Sequence, residues 1–207
     1  VTAGYKDDTG VIFSGRISKV TTRKEGVDKV TKIYAIDSSS LEDSGLVDIS
    51  YKKGTKASYI LQDLLKKVKL TVAVFEPRRD WTYKNEVSVD GSLIENIQKY
   101  AQVCGISVFV NKGKIYARHI SQGDNINFEV SEETGLIESP EEFEEEVTAE
   151  DYKDIVKGWK FKMILQHRMT PGAIVTLRSI NAWGQYRIRS GKHIFNENES
   201  VTECEVI

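Results

Sequence analysis

The chain has 207 residues, 40% hydrophobic and 29% charged, enough for one or two modest hydrophobic cores. Its 29 basic and 31 acidic residues leave a formal net charge of -2, so no global field gathers nucleic acid or an anionic membrane. No apolar run is long enough to cross a bilayer and no signal-peptide pattern is present, so membrane insertion is not expected. Cys104 and Cys204 are far apart in sequence and do not read as a disulfide framework; both are expected to be buried, reduced thiols. The first residue is Val1 rather than Met, which points to a fragment or a processed chain.

In chain order, residues 10–20 alternate Val11, Phe13 and then Ile17 with polar partners, and Lys29 to Asp37 carry Val30, Ile33, Tyr34 and Ile36. Glu25-Gly26-Val27-Asp28 supplies a turn between them, which predicts a hairpin of roughly ten-residue strands. Gly15 marks a bulge or a close backbone approach in the first strand. Residues 38–50 are rich in serine and read as a connecting loop.

Between Gly54 and Val110 the same pattern occurs twice. Gly54-Thr55 opens a run with Ile60, Leu61, Leu64, Leu65 and Val68, followed by alternating Leu70, Val72 and Val74. Gly91-Ser92 opens another with Leu93, Ile94, Ile97, Tyr100, Ala101 and Cys104, followed by Ile106, Val108 and Val110. Spacing of three and four marks one buried helix face, and spacing of two marks a half-buried strand. Each unit therefore predicts a helix feeding a strand, with Thr55 and Ser92 as N-caps and Gly105 ending the second helix. Neither unit can bury its apolar face alone, so both are expected to pack on one small sheet. Pro77 marks a turn, Tyr83, Val87 and Val89 a further strand, and Asn111-Lys112-Gly113 a hairpin turn leading into Lys114 to Arg118.

From Asn125 onward the pattern is all β. Strands are expected around Phe128 and Val130, at Gly135 to Pro140, Lys160 to Ile164 and Ala173 to Leu177, then at Gly184 to Arg189, His193 to Phe195 and Val201 to Val206. This spacing argues for a small barrel or sandwich.

Residue chemistry gives little support to catalysis. His119, His167 and His193 have no local metal-ligand spacing, and no nucleophile elbow, phosphate loop or dinucleotide fingerprint occurs. The acidic run Glu138 to Asp154 lacks calcium-loop spacing and reads as a solvated loop or short helix. Lys52, Lys53, Lys56, Lys66, Lys67 and Lys69 read as the solvated side of an amphipathic helix, while Arg78, Arg79 and Trp81 form a small basic and aromatic neighbourhood. No catalytic, cofactor-binding or metal-ligating residue is singled out, and no cofactor is expected.

Taken together, four stretches resemble the phage tail and baseplate hub family, the late control gene D-like proteins, including those of prophages in Gram-positive bacteria. They are Val11 to Ile17, the helix-strand repeat, Thr134 to Pro140, and Trp183 to Ile188 running on to His193, and it is their order that carries the likeness. The resemblance implies an α+β, mainly β chain: residues 1-50 as part of a first β-barrel, 51-122 as an inserted two-helix α+β domain, and 123-207 as a second β-barrel. It also implies more chain before the first motif. By the same likeness the protein is a non-enzymatic virion tail component, a homotrimer whose barrels form a ring joining the tail tube to the spike. The partners so implied are the tube, spike and tape-measure proteins, with DNA only in passage through the channel, and assembly takes place in the bacterial cytoplasm. Two other readings stand beside it: a peptidoglycan hydrolase of the tail using a carboxylate between Glu138 and Asp154, and a carbohydrate or nucleic-acid binding module using Arg78, Arg79 and Trp81.

Overall fold

A computed structural model describes residues 1–37, 45–149 and 152–207. Among the described residues the chain is mainly β with two α-helices, and it divides into two compact units. One is built from Val1–Ile12 together with Ile120–Ile207, and the other from Phe13–His119. The first fifty residues are thus divided between the two units.

In the Phe13–His119 unit the expected hairpin is present as β3 (Arg16–Glu25) and β4 (Asp28–Ile36), turning at Gly26 with φ 63°. Gly15 is a close approach, since a Cβ there would stand 2.6 Å from the Ile36 carbonyl oxygen. The bulge falls three residues later, between Ile17 and Lys19. Residues 46–50, expected in a loop, instead form β5 (Leu46–Tyr51), which pairs antiparallel with β7 (Val87–Ser92). Val47, Ile49 and Tyr51 alternate inward there, a short pattern hidden behind the serine-rich stretch. Residues 38–44 of that stretch lie outside the described residues.

Both helix-strand units form. Helix α1 (Ala57–Lys67) buries Ile60, Leu61, Leu64 and Leu65, and α2 (Leu93–Val103) buries Leu93, Ile97, Tyr100 and Ala101. They pack with one three-stranded sheet in which β9 (Lys114–Arg118) lies between β6 (Thr71–Phe75), parallel to it, and β8 (Ser107–Asn111), antiparallel. At about 25 cal/mol per Å² of apolar surface, each fully buried leucine or isoleucine contributes roughly 2 kcal/mol relative to exposure. Ser92 caps α2 by accepting from the Glu95 N–H at 3.4 Å. Gly105 ends the helix with φ 66°. Thr55 caps nothing: its hydroxyl donates to the Lys52 carbonyl at 2.7 Å, and the α1 cap is Lys56, which offers no side-chain acceptor. At the β8–β9 turn both Lys112 and Gly113 have positive φ, 50° and 75°, as a tight two-residue hairpin needs.

The other unit holds a six-stranded sheet in the order β10-β13-β14-β15-β12-β11. Its strands are β10 (Asp124–Val130), β11 (Glu141–Ala149), β12 (Tyr152–Ile164), β13 (Ala173–Arg178), β14 (Trp183–Phe195) and β15 (Ser200–Val206). Two strands expected around Gly184 to Arg189 and His193 to Phe195 are one, β14. Its first residues pair with β13 and its later ones with β15, and the register shifts between Ile188 and Ser190, so it serves two neighbours in turn. The segment expected as a strand at Gly135 to Pro140 makes only one antiparallel bridge, Leu136 to Met163, before Pro140 interrupts it. Among the described residues no ladder joins β10 to β11, so this sheet is open rather than the closed barrel expected. Its core gathers Val130, Phe161, Met163, Val175, Leu177, Ile188 and Val206.

The opening residues form a hairpin that sequence patterning missed, β1 (Thr2–Tyr5) with β2 (Asp8–Val11). Asp8 anchors it to the loop after β12. Arg168 donates to both Asp8 carboxylate oxygens, at 2.6 and 3.1 Å, and the Gln166 amide donates at 3.3 Å. Gly10 allows close contact here, because a Cβ would lie 2.0 Å from the His167 ring.

Candidate functional site

Two surface features stand out, one on each unit. The first is a cleft of about 620 Å³ on the six-stranded sheet, crossing β12, β15 and β14. Strand alternation sends Lys160, Lys162, Lys192, Glu203 and Glu205 to its walls, with Phe161 and Cys204 buried beneath. The charges are matched across the strands. Lys160 pairs with Glu205 at 3.0 Å, Lys192 with Glu203 at 2.8 Å and Lys162 with Glu199 at 2.5 Å. Ser190 also donates to Glu205, at 3.0 Å.

Glu205 is poorly placed to act as a general acid. Glycoside hydrolysis needs one carboxylic acid held protonated at neutral pH. Glu205 is pushed the other way: the hydrogen bond from Lys160 leads, partial burial opposes it, and Ser190 adds to Lys160, so the carboxyl lies below its ordinary range. Glu199 hydrogen-bonds Lys162 and holds its ammonium above the usual value.

The acidic run is not the loop or short helix expected from its charge. Residues 141–149 are strand β11 at the edge of the sheet, and Glu141, Glu142, Glu144, Glu145 and Glu146 are all exposed. Some of this charge is matched, since Glu144 pairs with Lys157 at 2.7 Å and Glu145 accepts from Arg189. Glu150 and Asp151 lie outside the described residues.

The second feature is the β3–β4 ribbon. Every residue of β3 is exposed, and in β4 only Val30 is partly covered. Ile17, Val20, Ile33 and Tyr34 are each at least half exposed, at 64%, 55%, 61% and 51%. Neither strand has a second ladder partner among the described residues.

The Arg78, Arg79 and Trp81 neighbourhood is built mainly to hold the fold. Arg79 donates to the carbonyls of Val103 and Gln102, both at 3.0 Å, at the end of α2. Arg78 contacts the His119 ring at 2.9 Å, and Arg78, Arg79 and Trp81 are all exposed, Trp81 at 60%. The six lysines at 52, 53, 56, 66, 67 and 69 are exposed, as the amphipathic reading requires. His167 lies 3.8 Å from Asp8, and His193 shares a 2.8 Å hydrogen bond with Thr202. Among the described residues no three metal-ligating side chains converge, and no helix is long and apolar enough to cross a membrane. Both cysteines are buried free thiols.

Comparison with solved structures gives the fold a context. The prophage MuSo2 43 kDa tail protein of Shewanella oneidensis superposes with a TM-score of 0.65 at 8% identity, over 97% of this chain and 80% of that one. The chain has the fold of a phage tail protein. A tail protein from Neisseria meningitidis MC58 gives 0.65 at 10% identity, over 95% of this chain and 80% of its own. An E. coli component of the type VI secretion system, described as structurally similar to the bacteriophage T4 tail proteins gp27 and gp5, gives 0.62 at 10% identity. That match covers 93% of this chain and 59% of the E. coli protein. No protein-family model matches the sequence, and no curated protein matches it. At these identities the backbone carries the likeness.

Proposed function

We propose that this chain is a structural hub protein of a phage or prophage tail baseplate, forming a ring that joins the tail tube to the spike. The observation that supports this most is the extent of the fold likeness, which runs over 97% of the chain against a prophage tail protein. On this reading the Phe13–His119 unit is an inserted α+β domain, and the six-stranded sheet is part of the barrel layer that builds the ring. The ring is a homotrimer, repeating one contact by rotation. Its function is geometry: matched charges on the sheet and an exposed ribbon seat neighbouring copies, tube, spike and tape-measure protein, while DNA passes without being bound. The near-zero net charge suits such a passage, because a strongly basic wall would hold the phosphate backbone. The protein catalyses nothing in this role.

The test is electron microscopy of particles from a prophage whose copy of this gene is deleted in frame. Tailless or spikeless particles are expected, with normal tails restored by the gene in trans. Complete, spiked tails in the deletion strain would refute the assignment.

A further inference from the structure

The exposed β3–β4 ribbon is an unusual thing for a chain to leave in water. Two strands alone are marginally stable, and open strand edges carrying apolar side chains invite pairing. Between Arg16 and Ile36 the ribbon carries six basic residues and two acidic ones, a net charge of +4 (6 − 2). One face groups Lys19, Arg23 and Lys32 with Tyr34; Glu25, paired with Arg23 at 2.5 Å, and Asp28 lie on it too, at the turn end, and leave the Lys19 and Lys32 end basic. The apolar residues on such a ribbon favour a protein partner over a nucleic acid.

The same chain carries a matching surface. Among the described residues strand β11 is an open edge of the six-stranded sheet, nine residues long like β4, with five glutamates and no basic residue. Glu142, Glu144 and Glu146 share one face by strand alternation. Length, open backbone edges and charge therefore agree.

We propose that the β3–β4 ribbon of one copy docks on strand β11 of the next copy, extending its sheet in a head-to-tail contact. The idea rests on the ring reading above and names the contact that would build the ring. A head-to-tail contact uses two different patches on each copy and closes into a ring when its rotation divides the circle. Backbone pairing supplies the attachment, and the lysine-glutamate match selects partner and register. Glutamates on an edge strand also discourage promiscuous pairing. That simpler role needs no basic counterpart, and this difference can be tested.

The experiment is sedimentation velocity of the full chain across a concentration series, at low and high salt. Replacing Lys19→Glu and Lys32→Glu puts acid on the ribbon; replacing Glu142→Lys and Glu146→Lys puts base on the strand. All four positions are exposed, and circular dichroism reports whether each variant stays folded. Each pair of changes alone should weaken assembly at least about tenfold. All four together should restore it, because the complementarity is then reversed rather than removed. A chain that assembles but ignores both reversals, a fourfold variant as weak as its parents, or cross-links joining ribbon and strand within one copy would overturn this contact while leaving the ring reading standing. A wild-type protein that never assembles, as this chain or in its longest natural form, would overturn both.

Discussion

Arg79 and Asp80 are neighbours in the chain, and they finish opposite ends of two different helices. Asp80 accepts the Ser58 N–H at 3.0 Å and the Ser58 hydroxyl at 2.8 Å, in the first turn of α1. Arg79 donates to the carbonyls of Gln102 and Val103 at the end of α2. An acid at an N-terminus and a base at a C-terminus each complement the helix dipole, so one short loop holds both helices.

Replacing Asp80 by Ala should therefore cost about 1 kcal/mol, the usual worth of a lost N-cap, or a fall of about 2–4 °C in melting temperature. Burial opposes ionisation of Asp80, but the hydrogen bonds from Ser58 and the charge of Lys56 outweigh it and hold its carboxyl below the ordinary value. A lowered folded-state value gives stability that is complete above the unfolded carboxyl pKa, about 3.9, and lost as pH falls through the folded value. Asp80→Asn keeps an acceptor without the charge. Its melting temperature should accordingly decline less than wild type between about pH 4 and pH 2, as read by calorimetry.

Asp8→Ala should free the β1–β2 hairpin and leave the remaining fold in place. The pair with Arg168 is partly exposed, side chains 42% and 44%, so the global loss should stay near 0.5–1 kcal/mol. Hydrogen exchange over residues 1–12 should rise sharply, with residues 173–206 unchanged.

Gly158→Ala should be far more costly. A Cβ at Gly158 would lie 1.9 Å from the Val206 carbonyl oxygen, in backbone paired with Phe143 of β11 and one residue before the β12–β15 ladder begins at Trp159. Overpacking of this kind costs about 1–3 kcal/mol, and denaturant unfolding should show it as a lower midpoint.

Both cysteines should resist alkylation in the native state. Burial pushes the Cys204 thiol up to about 12; burial, with Asp80 adding to it, pushes Cys104 up to about 11. Only the thiolate reacts. Iodoacetamide at pH 8 should leave the intact mass unchanged for hours, and add two labels once the chain is unfolded.

The parts of this fold that were legible in sequence are those whose signal is local. Ile60, Leu61, Leu64 and Leu65 repeat at helical spacing, Ser92 lies three residues before Glu95, and Lys112-Gly113 carries its own turn chemistry. What was hidden depends on partners distant in sequence. Asp80 caps a helix 22 residues away, a distance at which no capping pattern operates. Thr55 looked like the cap because it stood in the right place. Strand β11 was concealed by glutamate on both faces, which removes alternation, and it is held by pairing with β12. The β1–β2 hairpin rests on an Asp8–Arg168 pair spanning 160 residues. The open surfaces were least legible, because exposure of Ile17 or Ile33 is a property of the assembled chain.

The proposed function requires this protein to build a ring. Its most direct test is the solution mass of the chain, and of the longest natural form of the protein, by light scattering over a concentration series. A species of three times the chain mass, growing with concentration and holding at the plateau, is the predicted result. A mass of one chain for both forms at every concentration would contradict it.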